Sequence, residues 1–270
     1  MTPDWTDPAT REALHAWLTS QPRILIGCDF DGTIAPLVSH ADDARLPIPT
    51  RQALQRLMAQ PGVALVLISG RSIADLQQRT ALEGVLYAGN HGLEMASYEG
   101  GTLLAPAAEA TVGVLGEVMA RLARDLAPLP GVWIEDKRLS ASVHYRMAEE
   151  GAHAEIEALV RAAVEGVKGL MIRPAKRIWE IRPAIEWDKG TALRWFMSRC
   201  QVPSSATAFM GDDVTDLDAF RELEDGWTFM VGAEVDSAAR VRLRDPSDTA
   251  ALVEWMAAVR EGARFENVPA

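Results

Sequence analysis

The segment Ile24-Leu25-Ile26-Gly27-Cys28 is an unbroken apolar run that ends directly on Asp29-Phe30-Asp31-Gly32-Thr33. An apolar run of strand length, with no polar residue at alternate positions, predicts a strand buried on both faces, as in a parallel sheet covered by helices. The pattern recurs. Residues 51–60, behind Thr50, carry Leu54, Leu57 and Met58 at helical spacing until Pro61-Gly62 stops them, and Val63 to Ile68 is a second apolar run ending at Ser69-Gly70-Arg71. With a short helix over 73–79 and a strand over 85–88, the N-terminal part reads as βαβαβ.

The pattern then changes. A helix rich in Val, Leu and Ala over 107–126, strands over 133–139 and 141–146, a helix over 149–165 and strands over 170–173 and 177–182 make an α+β arrangement. Alternation resumes after Trp187, with a helix over 189–199, a strand over 206–210 and the loop Gly211-Asp212-Asp213. Thr215 and Asp218 have the spacing of a capping box, and strands over 228–231 and 241–243 follow. The last helix, opened by Ser247, puts Leu252, Trp255, Met256 and Val259 on one face. The expected class is α/β: a Rossmann-like parallel-sheet core over 1–104 and 186–270, interrupted by an inserted α+β domain over 105–185.

A net charge of -11 disfavours a nucleic-acid partner, because phosphate-backbone binding needs a basic face. The charge does not exclude a small phosphorylated ligand, since a few local cations and a metal can dominate one site. Two cysteines, Cys28 and Cys200, without a Cys-x-x-Cys pair argue against a disulfide framework or structural zinc and fit a reducing compartment. Asp4, Asp7, Arg11 and Glu12 precede any apolar run, which is wrong for a signal peptide, and no apolar stretch approaches the ~20 residues of a membrane span. The cytoplasm is the expected location, with no membrane partner.

Ligands of open parallel sheets bind beyond the carboxyl ends of the strands. Four polar clusters fall there: Asp29/Asp31, Ser69/Arg71, Lys189 at a helix start, and Asp212/Asp213/Asp216. Gly32 allows the turn that exposes Asp29 and Asp31, and two carboxylates this close need a cation or a shared proton. Asp212 and Asp213 add oxygen ligands, a set that suits magnesium better than zinc or calcium. Asp216 has a helix cap as its alternative. Ser69 offers a hydrogen bond to a phosphoryl oxygen and Lys189 a compact cation. Trp187 and Trp195 read as core residues and Cys28 as an inert buried neighbour of Asp29.

In order and placement these segments resemble the four motifs of the haloacid dehalogenase superfamily. Within it, Gly89-Asn90-His91-Gly92, His144-Tyr145-Arg146 and Glu180-Ile181-Arg182-Pro183 resemble the trehalose-6-phosphate phosphatases, and the likeness runs from Ile24 to beyond Val231. The resemblance implies a haloacid dehalogenase core with the inserted domain as its cap, and hydrolysis of trehalose 6-phosphate through an aspartyl phosphate. It implies that Asp29 is the nucleophile and Asp31 the acid and then the base, with Ser69 and Lys189 stabilising the phosphoryl group. Magnesium would be held by Asp29, the Asp31 carbonyl and Asp212, with Asp213 and Asp216 around them. From the cap, Glu135, Lys137 and Glu180 would grip the sugar, joined by Arg71, Asn90, His91 and Arg146 as further substrate-binding residues. Strand periodicity independently puts Glu135 and Lys137 on one face, for which a solvated charged face is the alternative. A hydrogen-bonded loop histidine is the alternative for His91, and solvation for Lys176 and Arg182. The implied partner is a small phosphorylated sugar, and the implied form is a monomer acting beside a trehalose-6-phosphate synthase.

Two competitors remain at this level. The catalytic motifs fit a sucrose, glucosyl-glycerate or mannosyl-glycerate phosphatase, or a phosphomutase, equally well. A receiver-type signalling module also uses aspartates, a Ser/Thr, a Lys and magnesium, but there the phospho-accepting Asp lies on a middle strand and the acidic pair on the first.

Overall fold

Strand and helix alternate along the chain, and the computed structural model describes residues 2–38, 40–96, 101–175, 177–232 and 239–262. The elements are α1 (Pro8–Ser20), β1 (Ile24–Cys28), α2 (Ile48–Met58), β2 (Val63–Ile68), α3 (Ile73–Thr80), β3 (Leu86–Gly89), β4 (Glu94–Ala96) and β5 (Thr102–Leu104). There follow α4 (Val112–Asp125), β6 (Trp133–Asp136), β7 (Ala141–His144), α5 (His153–Val164), β8 (Leu170–Ala175) and β9 (Ile178–Pro183). The last are α6 (Lys189–Cys200), β10 (Thr207–Gly211), α7 (Leu217–Arg221), β11 (Trp227–Val231), β12 (Val241–Leu243) and α8 (Pro246–Gly262). The chain divides into two compact units, residues 1–103 with 187–270, and residues 104–186.

In the first unit the strand order is β12-β11-β10-β1-β2-β3-β4-β5, parallel from β12 to β3, with β4 antiparallel to β3. Period-two alternation explains why the central strands are apolar throughout. Ile24, Ile26 and Cys28 of β1 pack on one face with Leu65 and Leu67 of β2, under α1, α2 and α8. Leu25, Val66 and Ile68 point the other way, onto Leu193 and Phe196 of α6 and Phe220 of α7. The chain leaves β1 towards β2 and β3 and returns on its other side with β10, so the order reverses beside β1, the point at which such sheets bind ligands.

The second unit is an antiparallel sheet, β6-β7-β9-β8. Ala141, Val143, Trp179 and Ile181 pack against α4 and α5. The alternate residues, Ser142, His144, Glu180 and Arg182, occupy the opposite face. Arg182 is only 3% exposed, so solvation does not describe it; Lys176 lies outside the described residues.

Local chemistry moved several boundaries. α2 starts at Ile48 because Pro49 is tolerated in a first turn. β6 stops at Asp136, where Lys137 N–H bonds Ser140 O at 3.0 Å in a tight turn, so Lys137 lies just past the strand. The capping box is Asp213 with Asp216, around the 3-10 turn Val214–Asp216, and not Thr215 with Asp218. α1, β4 and β5 had no sequence counterpart. Among the described residues no helix is long and apolar enough to cross a membrane.

One buried cation ties the first unit together. Arg260, 1% exposed, donates to the carbonyls of Leu18 (2.9 Å), Gln21 (2.6 Å) and Pro61 (2.6 Å), closing the C-terminal end of α1 onto α8 and onto the turn before β2. Burial pulls its guanidinium down to about 10, which keeps it charged at neutral pH. Arg260→Met should leave those carbonyls without their donor and cost roughly 2–4 kcal/mol. Urea unfolding followed by circular dichroism measures this, and a loss below about 0.5 kcal/mol would contradict the role.

Candidate active site

The β1 ladder runs one residue past the strand, with Asp29 N–H bonded to Met210 O at 2.9 Å, and so fixes where the Asp29 carboxylate emerges. The chain then turns tightly: Gly32 N–H bonds Ala35 O (2.8 Å) and Ala35 N–H bonds Phe30 O (2.9 Å). Gly32 has φ +82°, and a methyl there would lie 2.1 Å from Asp212 Oδ2. Only glycine meets both demands. At the neighbouring strand end, a methyl on Gly211 would sit 2.4 Å from Asp216 Cβ.

These close approaches gather three carboxylates. Asp29, Asp212 and Asp216 each place an oxygen within 4.8 Å of the others. Asp188 caps α6 by accepting from Thr191 N–H (2.8 Å), and Lys189, in the first turn, reaches inward. Its Nζ donates to Asp29 Oδ1 at 2.8 Å and Asp216 Oδ1 at 2.6 Å. Asp216 Oδ2 accepts from the backbone N–H groups of Asp212 and Asp213, both at 3.0 Å, and Thr33 Oγ1 donates to Asp212 Oδ1 at 3.3 Å.

Burial drives the Asp29 carboxyl well above its ordinary range; Lys189 opposes this, while Asp216 and Asp212 add to it. Burial and then Asp216 push Asp212 up to about 7. For Lys189 burial pulls down, but Asp216 and Asp29 outweigh it and hold the ammonium above its usual value. Three carboxylates against one ammonium leave excess negative charge on an all-oxygen donor set, which fits a divalent cation.

The other sequence-chosen residues fall into place with some changes of partner. Asp213 is exposed and caps the Val214–Asp216 turn, its Oδ1 accepting from Val214 N–H at 2.6 Å. Asp216 takes its place in the acidic cluster. Asp31 is outside that cluster: Arg71 Nε and NH2 donate to its two oxygens at 2.6 and 2.7 Å. Arg71 was expected at the substrate, and the structure sets its fork on Asp31 and, through NH1, on Asp75 (2.8 Å). Ser69 is buried at the end of β2. Asn90 and His91, with φ 52° and 58°, brace its loop: Asn90 N–H bonds Arg71 O (2.8 Å) and His91 N–H bonds Ser69 O (2.9 Å). Glu94, which the sequence reading passed over, accepts from Asn90 Nδ2 (2.8 Å) and from Ile73 N–H (2.9 Å). Cys28 is fully buried, and burial first, then Asp29, pushes its thiol up, as an inert neighbour requires. Trp187 and Trp195 pack against the core.

In the second unit, Lys137 Nζ lies 3.9 Å from Glu135 Oε2 and 4.0 Å from Glu180 Oε1. Glu135, Ser142 and Glu180 form one row across three strands. His144, unassigned beforehand as a site residue, places Nε2 2.8 Å from Glu135 Oε2 and stacks on Trp133, with ring centroids 4.7 Å apart. Arg146 is exposed.

The family model for trehalose-phosphatase matches residues 28–249. The chain belongs to the trehalose-phosphatase family. The trehalose-phosphate phosphatase of Mycobacterium marinum is 40% identical over 202 residues, 74% of this chain and 51% of that protein. That of Mycobacterium tuberculosis strain H37Rv is 39% identical over 205 residues, again 74% of this chain and 51% of that protein. The chain thus spans about half the length of the curated relatives it matches. The C-terminal domain of C. albicans trehalose-6-phosphate phosphatase shares the fold, with a TM-score of 0.82 at 21% identity over 96% of this chain and 99% of that one. A trehalose-6-phosphate phosphatase from Aspergillus fumigatus gives a TM-score of 0.65 at 25% identity, over 96% and 99%. The fold is therefore the one seen in these trehalose-6-phosphate phosphatase structures, a parallel-rich central sheet with a separate antiparallel sheet.

Asp29 and Asp212 carry raised pKa values in the folded chain, so their protonated forms stabilise it, and that stability is lost as pH rises through about 7, the value for Asp212. The cation-free chain should therefore melt at a lower temperature at pH 8 than at pH 6. A divalent cation should raise the melting temperature more at pH 8, because it no longer competes with protons. Scanning calorimetry with and without the cation tests this; equal shifts at both pH values would count against the cluster as the cation site.

Proposed function

We propose that the chain hydrolyses trehalose 6-phosphate to trehalose and phosphate through a phosphoaspartate on Asp29. The observation that carries this is the Asp29 carboxylate at the end of β1, pinned by Lys189 beside Asp212 and Asp216, in a chain of this family. Asp29 attacks phosphorus, the bond from phosphorus to the sugar oxygen breaks, and Asp31 gives that oxygen its proton. Water then attacks the phosphorus, Asp31 takes the water's proton, and phosphate leaves with Asp29 regenerated. Ser69 and Lys189 offset the charge on the transferring group. Magnesium, held by Asp29, Asp212 and the Asp31 carbonyl with Asp216 behind them, would supply further positive charge for the phosphoryl oxygens.

Residues 104–186 act as the cap, in which Lys137, Glu135 and Glu180 bind sugar hydroxyls. One half-buried cation between two carboxylates offers both donors and acceptors, as a polyol requires. Asn90, His91 and Arg146 are further substrate contacts in this proposal, and a trehalose-6-phosphate synthase is the enzyme that supplies the substrate.

Phosphate release from trehalose 6-phosphate, sucrose 6-phosphate and the glucosyl- and mannosyl-glycerate phosphates tests the assignment, which fails if trehalose 6-phosphate is a poor substrate beside the others. Asp29→Asn should abolish turnover while leaving the circular dichroism spectrum unchanged, and near-normal turnover would remove Asp29 as nucleophile. EDTA should stop activity and magnesium restore it. Lys137→Ala should raise KM for the sugar phosphate about tenfold or more while leaving p-nitrophenyl phosphate hydrolysis near its original rate.

A further inference from the structure

The Arg71 guanidinium is built into its position. It lies over the Phe30 ring, 5.4 Å from the centroid, and is only 7% exposed. Beneath it Asp75 accepts from Arg71 NH1 at 2.8 Å and from Arg79 Nε at 2.7 Å. Burial pushes the Asp75 carboxyl up, but the bonds from Arg79 and Arg71 outweigh it and hold it below the ordinary range. Arg79 NH1 in turn grips the carbonyls of Asp42 (2.9 Å) and Ala44 (3.1 Å). The ladder Asp31–Arg71–Asp75–Arg79 is thus anchored to backbone at one end and ends on the two oxygens of Asp31 at the other.

We infer that Arg71 is the positioning residue for Asp31, setting the plane and rotamer of that carboxylate, and is not a phosphate-binding residue. A bidentate fork fixes both the direction and the rotation of the group it holds, whereas one hydrogen bond leaves rotation open. Asp31 follows Phe30 in a turn, and among the described residues it is Arg71 that donates to both oxygens of its side chain. A general acid and base must sit within hydrogen-bond reach of the transferred proton, so its rotamer governs the rate. This rests on the proposed acid and base role of Asp31.

The test compares Arg71→Ala, Arg71→Lys, Asp75→Asn and Asp31→Asn on trehalose 6-phosphate and p-nitrophenyl phosphate, with magnesium supplied. Arg71→Ala is expected to lower kcat for the sugar phosphate about a hundredfold with KM changed less than about threefold. Arg71→Lys keeps the charge but loses the fork, and should fall about tenfold. Asp75→Asn should show the same signature more weakly. Nitrophenolate leaves without a proton, so its first turnover should persist as a burst in the Arg71 variants, with steady-state release slowed because hydrolysis of the phosphoaspartate still needs the base. Millimolar guanidinium should restore part of the activity of Arg71→Ala and none of that of Asp31→Asn. If Arg71→Ala raises KM at unchanged kcat, or slows burst and turnover equally, the positioning role is wrong. Where Arg71→Ala melts below assay temperature, Arg71→Lys and Asp75→Asn decide by the same criteria. Should Asp31→Asn keep its rate, or the parent chain leave trehalose 6-phosphate intact, the fault lies in the proposed reaction and not in the Arg71 assignment.

Discussion

Lys189 Nζ, buried between Asp29 and Asp216, is the interaction on which the rest of the site depends. Two like charges 4 Å apart repel by about 4 kcal/mol at an effective dielectric near 20. Three carboxylates gathered at one sheet end therefore need positive charge among them. Lys189 supplies part of it, while burial first, and the neighbouring carboxylates after it, still hold Asp29 and Asp212 above their ordinary range. The excess is what suits this sheet end to a divalent ion. Asp216 works as the structural partner: one oxygen holds Lys189 and the other receives the two N–H groups that shape the Asp212 loop.

Sheet topology makes that gathering possible. β1 and β10 are adjacent and parallel, with Cys28 opposite Met210, so Asp29 and Gly211–Asp212 leave the sheet at the same level. β2 is in register on the other side, with Cys28 opposite Leu67, and brings Ser69 and Arg71 to the same edge. The fully apolar strands that specify burial on both faces also fix which residue is the first polar one past each strand.

For that reason the strand-end residues of the candidate site were legible in the sequence. Asp29, Ser69, Lys189 and Asp212 each sit one or two positions from an apolar run or a helix start, and local pattern is enough to find them. Asp216 was harder. The sequence Asp212-Asp213-Val214-Thr215-Asp216-Leu217-Asp218 holds two overlapping capping boxes, and spacing does not say which one forms. The Asp31–Arg71 pair spans 40 residues, Glu94 reaches 21 residues back to the start of α3, and no periodicity encodes such contacts. The strands β4 and β5, three residues each, give too weak a period to read, and α1, though 13 residues long, buries only Leu14, Trp17 and Leu18 of its apolar residues beside Thr10, a sparse stripe.

Carboxylates elsewhere in the molecule are held by the same physics. Glu135 has a histidine at 2.8 Å whose plane is set by stacking on Trp133 at an interplanar angle of 2°, so Nε2 aims along the carboxylate. A carboxylate offers only acceptors, so it is Nε2–H that donates. Asp31 has Arg71, whose plane is set by Phe30 and Asp75. In both cases a flat cation or donor is fixed by an aromatic face, and it fixes the acid in turn. Orienting a group before its ligand arrives removes an entropic cost from the binding step. The strand and turn backbones that carry these acids do not orient their side chains, so that cost falls on residues distant in sequence.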